Sequence, residues 1–232
     1  MQVLIYFCFS LYFLSYINIT LIMTNYQLFQ NDLPEEVLKT FKTSASIDTE
    51  TLGLNINRDR LCLIQIMNND DGKFYIIQFP KGFKANDSQN LKKLLQNKNI
   101  MKIFHYARFD VAMLKKNLNI ITKNIFCTKI ASKLSRTYTS SHGLKDLVQE
   151  ILKVEISKKE QSSDWSQEEL SQDQIEYALN DVRYLQAIKD NLEKKLHETS
   201  RFKMFHKIIL FLETRVELDI AGWDNVDIFA HH

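Results

Sequence analysis

SASIDTETLGLNINRDRLCLIQIMNNDDGKFYIIQF, residues 44–79, carries three strand-like runs: SASID (44–48), RLCLIQIMN (60–68) and KFYIIQF (73–79). The last two are joined by NDDG, a hairpin signal. A three-stranded meander is the expectation for this stretch. Working outward, NYQLF (25–29) reads as a short strand, and DLPEEVLKTFK (32–42) as a helix capped by Asp32 with Pro34 in its first turn. SQNLKKLLQNK (88–98) has helical spacing, IMKIFH (100–105) is strand-like, RFDVAMLKKNL (108–118) is helical and NIFCT (124–128) is a short strand. From Lys129 onward the pattern is helical, with long helices expected over about 171–198 and 200–218. Meander, alternating helix and strand, then helices: this order predicts an α/β sandwich, a mixed sheet flanked by helices with a helical C-terminal part.

The composition fits one such domain. The chain has 232 residues, 45% hydrophobic and 25% charged, with five Gly and two Pro. That length can bury a sizeable core. Formal net charge is +2, so only the distribution of charge is informative. Residues 101–140 hold eight Lys or Arg and one acid, Asp110, whereas acids dominate residues 213–227. A basic stretch is either a solvated face or a footprint for phosphates. Cys8, Cys62 and Cys127 are far apart with no CxxC, which argues against a disulfide framework or a zinc site and fits a reducing cytoplasm. Cys62 and Cys127, in apolar runs, read as small core residues.

The first 31 residues carry no charge, and residues 1–22 are apolar and aromatic. They match a membrane anchor in length but lack the positive start and cleavage site of a signal peptide. Translation starting at Met23 is the preferred reading, with an anchor as the alternative. Residues 23–232 are expected to form a single domain.

The chemistry begins in the first run. Asp48 and Glu50 are two apart, and on a strand such residues share a face. Side by side, their carboxylates repel. Asp110 falls just after a strand, near the start of a helix, while Tyr177 and Asp181 are four apart on one helix face. Each feature alone has a structural explanation, such as a favourable charge at a helix N-terminus. Together they form a set of acids that a hard cation such as Mg²⁺ or Mn²⁺ would neutralise. Two ions held this way suit phosphodiester displacement.

IDTETLGL (47–54), HYARFD (105–110) and YALNDVRYL (177–185) occur in that order, and ISKKEQSSDWSQEELSQDQIEYALNDVRYL spans 156–185. In these residues the chain resembles the ribonuclease D-like 3′–5′ exonucleases of the DEDD superfamily, in the Tyr subtype, from about Asn25 onward. RTYTSSHGLKDL (136–147) and the tail from Glu217 look like the short, single-domain bacterial members. The resemblance implies a ribonuclease H-like fold and hydrolysis of RNA from its 3′ end to 5′-mononucleotides, in tRNA 3′ processing or RNA decay. A DNA exonuclease or a non-catalytic nucleic-acid-binding protein is the alternative. It further implies that Asp48, Glu50, Asp110 and Asp181 bind two Mg²⁺ or Mn²⁺ ions, with Asp48 bridging, and that Tyr177 orients the attacking water. RNA with a free 3′ end, tRNA precursors included, is the implied partner, and no obligate protein partner is implied. Tyr106 and Cys127 depart from residues common in the family, which bears on substrate placement and not on the acids.

Further candidate substrate contacts are His105, Arg136, His142, Lys158, Gln161 and Trp165. For these the structural reading is preferred and substrate contact is the alternative: a satisfied histidine for His105, a surface loop for Lys158 and Gln161, a packing anchor for Trp165.

Overall fold

A computed structural model describes residues 26–156, 160 and 163–231. The apolar segment 1–22 and the candidates Lys158 and Gln161 lie outside the described residues. The strands are β1 (Tyr26–Gln30), β2 (Ser44–Thr51), β3 (Leu61–Asn68), β4 (Phe74–Gln78), β5 (Met101–Phe104) and β6 (Ile125–Cys127). The helices are α1 (Glu35–Leu38), α2 (Gln89–Gln96), α3 (Ala107–Leu118), α4 (Thr128–Ser135), α5 (Leu144–Leu147), α6 (Gln172–Arg183), α7 (Leu185–Glu198) and α8 (Phe202–Leu218).

Among the described residues the strands form one sheet, in the order β1-β4-β3-β2-β5-β6. The expected meander is its centre: β2 pairs antiparallel with β3, and β3 with β4. The turn between β3 and β4 closes with Asn68 N–H donating to Lys73 O (2.9 Å) and Gly72 N–H donating to Asn68 O (2.8 Å). Gly72 takes φ +73° there, a conformation open to glycine at no steric cost. The flanking pairs β1–β4, β2–β5 and β5–β6 are parallel, so the sheet is mixed.

Both faces of the sheet are covered, which is why β3 reads as an almost unbroken apolar run. On one face Ile47, Ile64, Ile66 and Ile77 pack with Leu91 and Leu94 of α2, Val111 and Leu114 of α3, and Val216 of α8. On the other, Leu63, Phe74 and Ile76 pack with Trp165 and with Ile175, Ala178, Leu179 and Val182 of α6. Farther along that face, Ile103 and Phe126 meet Leu185, Ile188 and Leu192 of α7. Each fully buried aliphatic side chain contributes about 1.5–3 kcal/mol relative to exposure. Cys62 and Cys127 are buried free thiols, as their apolar surroundings predict.

Two expectations change. The helix expected over 171–198 is broken at Tyr184, which leaves α6 on β3 and swings α7 towards α4 and β5. No Gly or Pro marks that break, so packing on two different parts of the sheet sets it. The basic stretch is also mostly accounted for inside the fold. Arg108 pairs with Asp219 (2.6 Å), Lys115 with Glu217 (2.6 Å) and Lys123 with Glu213 (3.0 Å). Lys102 is buried, and its ammonium donates to Ile100 O at 2.7 Å. Three of the eight basic residues thus pair with the acidic segment and Lys102 is buried, which leaves fewer of them for phosphates than the sequence suggested.

Candidate active site

Asp48 and Glu50 stand near the C-terminal end of β2, on the face covered by α6. A bulge between Glu50 and Thr51 ends the regular register with β3. The chain then turns through Gly53, where a Cβ would lie 2.4 Å from Asp59 Oδ2, so only glycine fits without displacing that carboxylate. Helix α6 starts with a capping box: Ser171 Oγ accepts from Gln174 N–H (3.2 Å), and Gln174 Oε1 accepts from Ser171 N–H (2.9 Å). Gln174 Nε2 also donates to Asp164 O (3.1 Å), tying the helix start to the preceding loop. The apolar side of α6 then clamps onto β3, and Tyr177 and Asp181 project together over the end of β2.

The outcome is a cavity of about 360 Å³ lined by Asp48, Glu50, His105, Asp110, Tyr177 and Asp181, with Tyr106 and Lys129 also on its wall. One carboxylate oxygen from each of Asp48, Glu50 and Asp181 lies within 4.8 Å of the others. Asp110 lines the same cavity from the other layer. It projects from the first turn of α3, and its Oδ1 accepts from Thr49 Oγ1 at 2.7 Å. Thr49 sits between Asp48 and Glu50 and faces the opposite side of the sheet. That alternation explains why Asp110 stands outside the tight trio while sharing its pocket.

Burial raises the Asp48 carboxyl well above the usual carboxylate range, and the charges of Asp110, Asp181 and Glu50 push it further. Glu50 is raised well above its usual value by burial and then by Asp181 and Asp110. Burial pushes Asp110 up to about 7, against the opposing hydrogen bond from Thr49. Acids arranged this way gain protons or a cation at neutral pH. Hard carboxylate oxygens at this spacing fit a divalent ion of the Mg²⁺ class.

This has a measurable consequence for the metal-free protein. A carboxyl with its pKa near 7 in the fold and near 4 unfolded binds more protons in the native state. The stability it contributes is therefore full below about pH 4 and is lost as pH rises through about 7. In chelator, Tm is expected to be several degrees lower at pH 8 than at pH 5.5. Magnesium should restore it at pH 8, and Asp110→Asn should flatten the pH slope. A Tm in chelator that rises steadily from pH 5.5 to 8 would contradict this electrostatic picture.

The Tyr177 hydroxyl is hydrogen-bonded to Asp181, and its own pKa is raised by burial first and then by the charges of Asp181 and Glu50. It is a neutral donor at any working pH. His105 Nδ1 is 2.9 Å from Thr128 Oγ1, which in turn donates to Phe104 O (3.2 Å).

Two candidate contacts are corrected. Arg136 is fully buried, donating to Ser132 Oγ (2.8 Å), Ser141 O (2.8 Å) and Glu150, so its guanidinium holds the 136–150 segment together and faces no substrate. Trp165 is 3% exposed and packs against the Tyr177 ring, centroids 5.9 Å apart. It supports Tyr177 from behind and offers no face to a base. His142 is half-buried and bonded through Nδ1 to Ser132 Oγ (2.8 Å), while its neighbours Gly143, Leu144 and Lys145 line the cavity.

Sequence reading missed Thr49 and Gln65. Gln65 Nε2 donates to Asp48 Oδ2 at 2.8 Å. A signal was present: Gln65 interrupts the apolar run of β3, and a polar side chain there needs a partner. Missed too was Lys129, whose ammonium lies 4.4 Å above the Tyr106 ring.

Comparison with known proteins agrees with this architecture. A 3′–5′ exonuclease family model matches residues 27–197. Ribonuclease D of Desulfotalea psychrophila is 34% identical over 166 residues, covering 71% of this chain and 43% of that protein. The chain thus spans less than half the length of that curated relative. Among solved structures, Brucella melitensis NrnC bound to pGG is 48% identical with a TM-score of 0.84, covering 90% of this chain and 100% of that one. Brucella melitensis NrnC with bound Mg²⁺ is 48% identical with a TM-score of 0.83, again covering 90% and 100%. The chain belongs to the 3′–5′ exonuclease family, in its ribonuclease D-like branch.

Proposed function

We propose that this protein is a divalent-metal-dependent exoribonuclease that removes 5′-mononucleotides one at a time from the 3′ end of RNA. The observation that carries this reading is the trio of carboxylate oxygens from Asp48, Glu50 and Asp181, all within 4.8 Å of one another. In this reading those three acids, with Asp110, would hold two Mg²⁺ or Mn²⁺ ions. When bound, such ions supply Lewis-acid stabilisation of the attacking and leaving oxygens at a phosphodiester. Tyr177 donates a hydrogen bond that orients the attacking water, and Trp165 fixes the ring from which it does so. His105 presents its ring to the substrate from the cavity wall. The pGG held by the Brucella protein supports a short RNA end as substrate, and the similarity to ribonuclease D supports RNA with a free 3′ end more widely, for which tRNA precursors are our proposed example. A cytoplasmic location fits this activity. Among the described residues, no helix is long and apolar enough to cross a membrane.

The test is a comparison of 3′-labelled linear RNA, the same RNA circularised, pGG, and single-stranded DNA, each with Mg²⁺ or with chelator. Linear RNA and pGG should yield mononucleotides, the circle should persist, and chelator should stop all hydrolysis. Cutting of the circle as fast as the linear RNA would make the enzyme an endonuclease and overturn the proposal. Faster loss of DNA than RNA would move the substrate class.

A further inference from the structure

We infer that Gln65 is a positioning residue for Asp48, a buried neutral amide that sets the plane in which the first acid presents its carboxylate. The inference rests on the reading that Asp48 holds a divalent ion. Gln65 and Asp48 are directly opposed in the antiparallel β2–β3 register and share a face. The amide Nε2 donates to Asp48 Oδ2 at 2.8 Å, the Gln65 side chain is also hydrogen-bonded to Glu50, and Gln65 is fully buried.

Stability alone gives no reason for a glutamine here. Its Oε1 is buried and has no hydrogen-bond partner among the described residues. An unmet buried acceptor of this kind is destabilising. An aliphatic side chain would suit the β3 core better. What the amide does provide is a fixed donor without a charge. A lysine or arginine at this place would neutralise Asp48 and compete with a cation, whereas an N–H orients the carboxylate and leaves its charge available. The same device recurs on the other layer, where the Thr49 hydroxyl holds Asp110 Oδ1 at 2.7 Å. Both acids are thus oriented by neutral donors from adjacent strand positions.

The experiment measures Mn²⁺ binding directly, by electron paramagnetic resonance of the free ion, on full-length wild type, Gln65→Met, Gln65→Asn and Asp48→Asn. Thermal melts in chelator accompany each protein. Loss of a partner behind a metal ligand typically weakens binding about 10–100-fold. Gln65→Met should show that weakening while its Tm in chelator holds or rises, because the unmet acceptor is gone. Gln65→Asn, one methylene too short to reach Asp48, should weaken binding similarly and keeps the question decidable if the Met variant fails to fold. Wild-type Mn²⁺ affinity in the Gln65 variants, with binding lost in Asp48→Asn, would overturn the inference and leave the metal reading intact. Wild-type affinity in Asp48→Asn itself would instead overturn the metal reading, and this inference with it.

Discussion

Asp48→Asn protein is expected to degrade 3′-labelled RNA more than about 10³-fold more slowly than wild type, while folding normally. The size follows from its position. Losing a single preorganised donor in an active site costs about 10²–10³ in rate, and Asp48 supplies one of the three clustered oxygens that would hold the metal. The substitution keeps the shape of the side chain and an oxygen that can accept from Gln65, so the hydrogen bond at 2.8 Å has a substitute. It removes a carboxylate whose own pKa is pushed up by burial and by the charges of Asp110, Asp181 and Glu50. Relief of that repulsion predicts a metal-free Tm equal to or above that of wild type at pH 8. The paired measurement is a single-turnover rate in saturating Mg²⁺ and a melt in chelator. An Asp48→Asn enzyme within tenfold of wild type would remove Asp48 from the chemistry. A protein that is both inactive and strongly destabilised would assign Asp48 to folding, and Glu50→Gln would then have to show the loss without the destabilisation.

How much of this was legible in the sequence depends on the range of the interaction. Asp48 and Glu50 are related by strand alternation, and Tyr177 and Asp181 by one helical turn; both periods are local and visible. The β2–β3–β4 meander is local as well: a short turn, residues 69–73, closes the β3–β4 pair, and a loop over residues 52–60 joins β2 to β3. The position of β1 is not: it runs parallel beside β4, and nothing within NYQLF specifies which edge it joins. Arg136 as a nucleic-acid contact, and the stacking alternative for Trp165, failed for the same reason. An arginine in a basic, polar segment looks available until Glu150, fourteen residues on, is folded onto it. A tryptophan next to SSD looks like a stacking platform until α6 brings Tyr177 against it. The pairing of the basic stretch with Glu213, Glu217 and Asp219 spans about half the chain, and charge runs alone could not choose between a partner within the fold and a phosphate outside it. Gln65 was open to a local reading, since a lone amide inside an apolar strand is an exception that calls for a partner.

Tyr177→Phe is expected to lower kcat by about 10²–10⁴-fold, the usual contribution of a group that positions or transfers a proton. The hydroxyl cannot act as a base, because burial and the neighbouring acids keep it protonated. What it has to give is a hydrogen bond. Phenylalanine retains the ring, and therefore the contact with Trp165 at 5.9 Å between centroids, so Tm should stay close to wild type. One further effect must be separated. The hydroxyl is also bonded to Asp181, so its removal could act by loosening an acid and not by disorienting water. These two routes predict different data. If Tyr177 orients water, single-turnover kcat falls while Mn²⁺ binding changes less than about threefold, since the four carboxylates remain. If it serves only to hold Asp181, Mn²⁺ affinity falls in step with the rate, and raising the ion concentration recovers much of the activity. An unchanged single-turnover rate would dismiss both routes and leave Tyr177 as packing for the face of α6.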